Sequence, residues 1–451
     1  MDDKIKNVKL NESSKIVNLL FIAALVITII SFLIDLKNTL TYPGTDLRNR
    51  VVGARLMLEG IDPYFFKWQP GLSERFYDPL DVPTALLSKL SVPPTVLVIH
   101  SLFAGLPYLY QKIIWLLIQW GALIGITFIF IKTSNSRAET NLILITSFLF
   151  VNSLFWRFHV NSGQIYIVYV FLLSLAWLSL KKLLNYRRLI SGVFVGIAIS
   201  MRPSFILFFI PSIVSGEYLF CLGGILGVIT TIALSIPVVG GFIWQKYAIT
   251  MLGMTGIINL NTYSPLKPLR EKIISNSNVI YPKTIEGFDP SIRNPLERYL
   301  DNTSLYDVLN ALSVPNKRYV LLISFAVTML LISWYVWKLS RNHKNINLLF
   351  LWGTLISLIG DFFIPVGRYS YYDVQMILPL LIIISCANVR DLIYEKSIVT
   401  LLLGFILGIA GFIIVPRALF FSVFLIILYI VLVSFMLLNR NSKSKNKTLK
   451  V

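Results

Sequence analysis

The stretch Tyr42-Pro43-Gly44-Thr45-Asp46-Leu47-Arg48-Asn49-Arg50, running on through Leu58-Glu59-Gly60-Ile61-Asp62-Pro63-Tyr64, holds the residues best suited to chemistry. Thr45 reads as the N-cap of a helix that ends before Gly60, so Asp46 falls in its first turn, just after an apolar run has ended. A carboxylate there can act as general base toward a hydroxyl arriving from the aqueous side, while a lipid-linked reactant arrives from the bilayer. The helix dipole alone also favours an acid at that position. Asp62 and Tyr64 shape the turn that closes the helix, and they stand as candidate substrate contacts. Arg202 precedes Pro203 inside an apolar run, where it either reaches an anion or snorkels. Asp361 and Arg368 lie at the end of another run; a structural ion pair is the plainer reading, although intramembrane ionisable groups invite a functional one. Asn161 and Gln164 can hydrogen-bond a sugar or a phosphate, or cap a helix end. Tyr77-Asp78 and the group Tyr369, Tyr371, Tyr372 can line a sugar subsite, though tyrosines also belong in the aromatic belt of any membrane interface. His100 and His159 read as packing residues. No acidic pair with metal-ligand spacing stands near Asp46, so neither a metal nor a cofactor is expected.

A membrane must position these groups. Of 451 residues, 56% are hydrophobic and only 14% charged, and the mean hydropathy is +0.72. Soluble domains balance a similar apolar share with about a quarter charged residues. Runs such as 16–34, 113–131, 319–337 and 418–438 each approach the roughly 20 residues that cross about 30 Å of hydrocarbon. The first follows Lys4, Lys6, Lys9 and Lys15 but is longer than a signal-peptide core, so it reads as a retained span. The net charge of +19 does not point to nucleic acid, because the basic residues sit in short loops between apolar runs. Cys221 and Cys386 lie inside apolar runs and suggest packing.

Loop charge then gives direction. Lys132/Arg137, Lys181-Lys182 with Arg187-Arg188, Lys338/Arg341/Lys344, Arg390/Lys396 and the basic tail 439–451 are placed on the cytoplasmic side. Parity between the inside loops at 181–188 and 338–347 requires the run 189–214 to be a short hairpin turning at Arg202-Pro203, since a residue before proline is pushed out of the helical region. Half-length helices survive at membrane depth only where protein or a cavity covers them. The expectation is one integral domain over 1–451, an all-α polytopic membrane protein with about twelve transmembrane helices and both termini cytoplasmic. Its long extracytoplasmic segments would be 37–111 and 241–318. Leu47, Val51, Ala54 and Leu58 share one face of the 45–59 helix, which predicts an amphipathic helix lying on the membrane surface.

These motifs resemble glycosyltransferase family 87, whose members use polyprenyl-phosphate sugars and include mannosyltransferases. The Asp46 helix followed by Gly60-Ile61-Asp62-Pro63-Tyr64 is similar to the family's opening pattern. Pro93-Pro94 with Leu106-Pro107, Asn161-Ser162-Gly163-Gln164, Gly192 through Arg202-Pro203, and Ser370-Tyr371-Tyr372-Asp373 with Leu378-Pro379 follow in the family's order. Ser162 replaces a usual glycine, the proline after Arg202 comes early, and Asp373 stands where many members have histidine. The resemblance implies a GT-C type architecture and an inverting enzyme of the plasma membrane that works at the outer membrane face. A mannose-like or pentose sugar would pass from the polyprenyl-phosphate donor to a glycan or glycolipid hydroxyl. It casts Asp46 as the base, Arg202 and Arg368 as phosphate-binding cations, and Asn161, Gln164, Tyr372, Asp373, Asp62 and Tyr64 as substrate contacts. A transporter or flippase of lipid-linked sugars is the main alternative, and an inactive scaffold in an assembly complex a second.

Overall fold

Where no water can reach the backbone, its polar groups must be satisfied within each segment, and a helix does this best. All regular elements among the described residues are accordingly helical. In this computed structural model the described residues are 2–181, 186–260, 286, 292, 304–342, 346–365 and 367–386. They form α1 (Asp2–Thr41), α2 (Thr45–Leu58), α3 (Pro94–Ser101), α4 (Tyr108–Lys132), α5 (Arg137–Phe150), α6 (Leu154–Ser162), α7 (Tyr166–Lys181) and α8 (Arg187–Met201). After a 3-10 turn at Pro203–Phe209 come α9 (Ile210–Val214), α10 (Tyr218–Val239), α11 (Gly241–Met254), α12 (Leu305–Ala311), α13 (Lys317–Asn342) and α14 (Ile346–Gly360). Two further 3-10 turns, Asp361–Phe363 and Ser370–Met376, lead into α15 (Ile377–Cys386).

Five of these segments are long and apolar enough to cross a membrane: Phe21–Thr41 of α1, α4, α10, Lys317–Lys338 of α13, and Ile346–Phe363. The pair α5 and α6 makes a sixth if it counts as one span bent by 59°. The bend falls at Ser153, whose side chain caps α6 by accepting from the Trp156 amide at 3.2 Å. The expected count of about twelve draws on 387–438, which lies outside the described residues, as do the basic tail 439–451 and most of 261–303.

The hairpin break falls where proline chemistry puts it. Helix α8 ends at Met201, Arg202 adopts extended angles (φ −147°, ψ 95°), and the chain continues as the 3-10 turn and α9. Helix α8 can lie against α10 because both carry a Gly-x-x-x-Gly pattern, at Gly192/Gly196 and Gly223/Gly227. A Cβ at Gly192 would come within 2.0 Å of the Phe220 carbonyl oxygen, and one at Gly227 within 2.3 Å of that of Val193. The 203–209 turn then packs on α14.

Helix α2 departs from expectation in two respects. Its N-cap is Gly44, in the left-handed region at φ 69°, with no side-chain cap, so Thr45 is the first helical residue. The helix also does not lie on a surface. Ten of its residues are buried, including Arg48, Arg50 and Arg55, while Leu58 of the presumed membrane face is 52% exposed. Arg48 and Arg55 are buried because oxygens from distant parts of the chain receive their donors. Arg48 donates to the carbonyls of Glu74 and Tyr77, and Arg55 to those of Arg75, Ala104 and Leu106. Glu286 pairs with both, at 2.8 and 3.1 Å. Lys246 of α11 approaches Asp62 at 3.8 Å, and Tyr247 lies 5.7 Å from Tyr64 ring to ring. The two long segments between apolar helices thus meet over α2.

Candidate active site

Asp46 is held from several sides. The Tyr108 hydroxyl donates to the Pro43 carbonyl at 2.6 Å and Lys112 to that of Tyr42 at 3.0 Å, fixing the entry to α2. Across from α2, the α6–α7 turn is pinned by the Trp115 indole on the Gly163 carbonyl and by Gln119 on the Gln164 carbonyl. That turn directs the Gln164 side chain between two residues of α2: its amide nitrogen donates to Asp46 Oδ2, and its amide oxygen accepts from Arg50. Asp46 and Arg50 are four apart and share a helix face. On the other side Lys89 Nζ lies 3.8 Å from Asp46 Oδ1. The carboxylate keeps partial access, at 18% side-chain exposure. Gly163 sets the spacing: it sits at φ 69°, and a Cβ there would lie 2.5 Å from that of Leu47. Gly163→Ala is expected to cost about 1–3 kcal/mol of stability and to displace Asp46. Thermal unfolding of the variant checks this, and an unchanged midpoint would contradict the packing.

From Asp46 a row of aromatic rings leads to two buried arginines. The link is the α6–α7 turn, where Gln164 holds Asp46 and Tyr166, two residues on, enters the row. Burial, and then the Asp46 carboxylate, raise the Tyr369 hydroxyl above its ordinary pKa. Tyr369 packs at 5.5 Å on Tyr371, and Tyr371 at 5.9 Å on Tyr166. Tyr166 lies 4.4 Å from Tyr372. The Arg202 guanidinium sits over both of these last rings, at 4.5 and 4.8 Å, a cation–π arrangement and not a snorkelling one. Its Nη2 pairs with Asp361 at 2.7 Å and its Nε donates to Ser204, while Nη1 has no hydrogen-bond partner among the described residues. Arg368 pairs with Asp373 at 2.5 Å and lies 4.1 Å above the Phe362 ring.

This geometry revises several expectations. Asp361 and Arg368 do not pair with each other; packing of the 203–209 turn on α14 brings Arg202 to Asp361 instead. Asp373 is fully buried and faces Arg368, so it positions that cation. Gln164 is committed to Asp46 and Arg50 and therefore orients the carboxylate. Asp62 accepts from the Tyr64 and Phe65 amides, while the buried Tyr64 hydroxyl donates to the Val92 carbonyl at 2.8 Å. Both serve the turn after α2. Asn161 keeps capacity for a ligand, since neither of its amide atoms has a hydrogen-bond partner among the described residues. Tyr372 remains half-buried beside both arginines. His159 is a packing residue whose Nε2 accepts from the Ile167 amide. The sequence reading passed over Arg50, Lys89 and Tyr166. Of these only Arg50 left a signal, its i+4 spacing from Asp46.

Asp78 belongs to the same neighbourhood through Lys89. Burial lifts its carboxyl from the ordinary 3.8 to about 6, with Lys89 opposing the rise. The folded chain therefore holds this proton more tightly than the unfolded chain does. Stability from this group is greatest below about pH 4 and falls as pH rises, levelling above about 6, by roughly 3 kcal/mol in all. Asp78→Asn should remove that slope. Its advantage in thermal midpoint over the wild type should grow from pH 4 to 6 and then plateau; an advantage that does not change with pH would contradict the burial.

Among the described residues no group of three or more His, Cys, Asp or Glu stands close enough to hold a metal. Compared with known families, the chain matches the model of glycosyltransferase family 87 over residues 92–360, more than half its length. No curated protein and no solved structure matches it.

Proposed function

The chain belongs to glycosyltransferase family 87 and is an integral membrane glycosyltransferase, and from that premise we propose that it moves a sugar from a polyprenyl-phosphate donor to a glycan or glycolipid hydroxyl, with inversion and with Asp46 as general base. One observation carries this reading. Gln164 holds the Asp46 carboxylate, and Tyr166, two residues on, lies with Tyr372 under the Arg202 guanidinium, with Arg368 beside Tyr372, so one aromatic cluster joins the carboxylate to the cations. A one-step displacement needs both, in separate roles. Asp46 takes the proton as the acceptor oxygen bonds to the anomeric carbon. The bond from that carbon to the phosphate oxygen breaks on the opposite side, and its electron pair leaves with the phosphate. Such a leaving group needs charge neutralisation more than protonation, and the unpartnered Nη1 of Arg202 supplies a donor for it. Arg368 adds a second positive centre, so the scheme uses no metal. Asn161 and Tyr372 are the remaining candidates to touch the sugar.

In this reading both termini are cytoplasmic and the site lies on the extracytoplasmic side of the plasma membrane, which the distribution of basic loop residues supports. A donor lipid then reaches the row from the bilayer, and a mannose-like or pentose group suits the family resemblance. The GT-C type architecture with about twelve spans is part of the same proposal. The alternative, a carrier of lipid-linked sugars, calls for polar groups along a path to both faces, whereas the candidate groups here are joined by direct contacts into one cluster. Purified protein in phospholipid vesicles, given synthetic polyprenyl-phosphate sugars and a glycoside acceptor, is expected to form glycosylated product. Movement of the donor lipid between leaflets without product would overturn the enzyme in favour of the carrier.

A further inference from the structure

Helix α2 presents a second functional face. Asp46, Asn49, Gly53 and Leu56 recur at i, i+3, i+7 and i+10, so they form one stripe, with Asn49 about 4.5 Å along the axis from Asp46. Beyond Asp46, this stripe floors a pocket walled by the 63–68 and 76–83 segments, with Lys89 at its rim. The wall is aromatic, and the Trp68 and Tyr77 rings pack at 4.8 Å. Asp78 reaches into the pocket while 93% buried, as its exposure is 7%. Its Oδ1 accepts from the Leu80 amide at 3.0 Å, and its Oδ2 has no hydrogen-bond partner among the described residues. Lys67 only braces the wall, because Asp81 and the carbonyls of Val82 and Leu87 occupy its ammonium group.

We propose that this pocket binds the hydroxyl-bearing edge of the acceptor glycan and hands one hydroxyl to Asp46. The proposal rests on the transferase reading, and it assigns the acceptor to the side of Asp46 away from the arginines. Charge supports that division. The pocket lining carries two carboxylates, Asp78 and Asp81, and two ammonium groups, Lys67 and Lys89, with Lys67 bound to Asp81. With no cationic excess to draw a phosphate, the pocket suits a neutral polyol. An orphaned buried acceptor atom is a strong demand for a hydroxyl donor, and aromatic walls offer apolar faces to the C–H side of a sugar ring. The enclosed part measures about 30 Å³, room for one or two water-sized groups, so the edge of a ring enters and the rest stays outside. Lys89, shared between Asp46 and Asp78, ties the bound hydroxyl's partner to the base.

The test is binding, read separately from turnover. Protein in nanodiscs would be titrated with neutral methyl pyranosides and furanosides, and with methyl phosphate, by saturation-transfer NMR. At least one neutral glycoside is expected to bind the wild type, with methyl phosphate failing to compete. Asp78→Asn keeps the oxygen that caps the turn, and Asn49→Leu fills the floor from α2 without touching the turn. Each should weaken that binding about tenfold or more, and should raise the acceptor KM while leaving the donor KM unchanged. Equal binding to the wild type and both variants, or no binding of any neutral glycoside to the wild type, would overturn the pocket. Binding of this pattern in a protein that transfers no sugar would support the pocket and sink the transferase reading, so the two failures are distinct.

Discussion

Asp46→Asn is expected to lower kcat by roughly 100- to 10,000-fold, the range for loss of a general base, with the donor KM little changed. Asparagine is nearly isosteric and can still accept from Gln164, so α2, Arg50 and Lys89 should stay in place and the thermal midpoint should hold. Because the proposed scheme has the carboxylate act on the acceptor and not on the lipid phosphate, binding of the donor alone should survive. Asp46→Glu keeps the base but moves it by one methylene, and its activity should fall between the two. Steady-state kinetics with both substrates varied would check this. A variant that retains full kcat would show that another group takes the proton.

Loss of Arg202 should be nearly as severe, but through two separable effects. Arg202→Met removes the cation from Asp361, which is 1% exposed. Breaking a buried pair in this way costs about 3–5 kcal/mol. The double variant Arg202→Met/Asp361→Leu removes the orphaned charge as well and should recover most of that stability. It should not recover activity, because the cation over Tyr166 and Tyr372 to which the proposal gives the phosphate is still missing. Activity lower by about 100-fold or more is expected, in line with loss of one transition-state charge partner. Thermal unfolding and transfer rates on the same preparations separate the effects. A double variant with full transfer would reduce Arg202 to a structural residue.

Sequence carried much of this site because the signals were local. Proline chemistry alone marked the break at Arg202-Pro203, and the first-turn position of Asp46 followed from the end of one apolar run and the start of a helix. The family resemblance rested on such short motifs taken in order, and the family is shown. What stayed hidden depended on residues far apart in the chain. Helix α2 read as a membrane-surface helix from the spacing of Leu47, Val51, Ala54 and Leu58, yet its arginines are buried on partners from 74–77, 104–106 and position 286. The exchange of ion-pair partners between Asp361 and Asp373 likewise depends on how the 203–209 turn packs against α14. Lys89 and Tyr166 reach the site only through tertiary packing, and no spacing rule points to them. The spans expected from sequence beyond Cys386 fall outside the described residues.

The central claim is that a single carboxylate drives a single displacement in this row of residues. The most direct measurement is the anomeric configuration of the first product formed by the purified wild type, read by NMR from a donor of known anomeric configuration. Inversion at the transferred carbon is the predicted result. Retention would require a second nucleophile or a covalent intermediate and would contradict the mechanism built on Asp46.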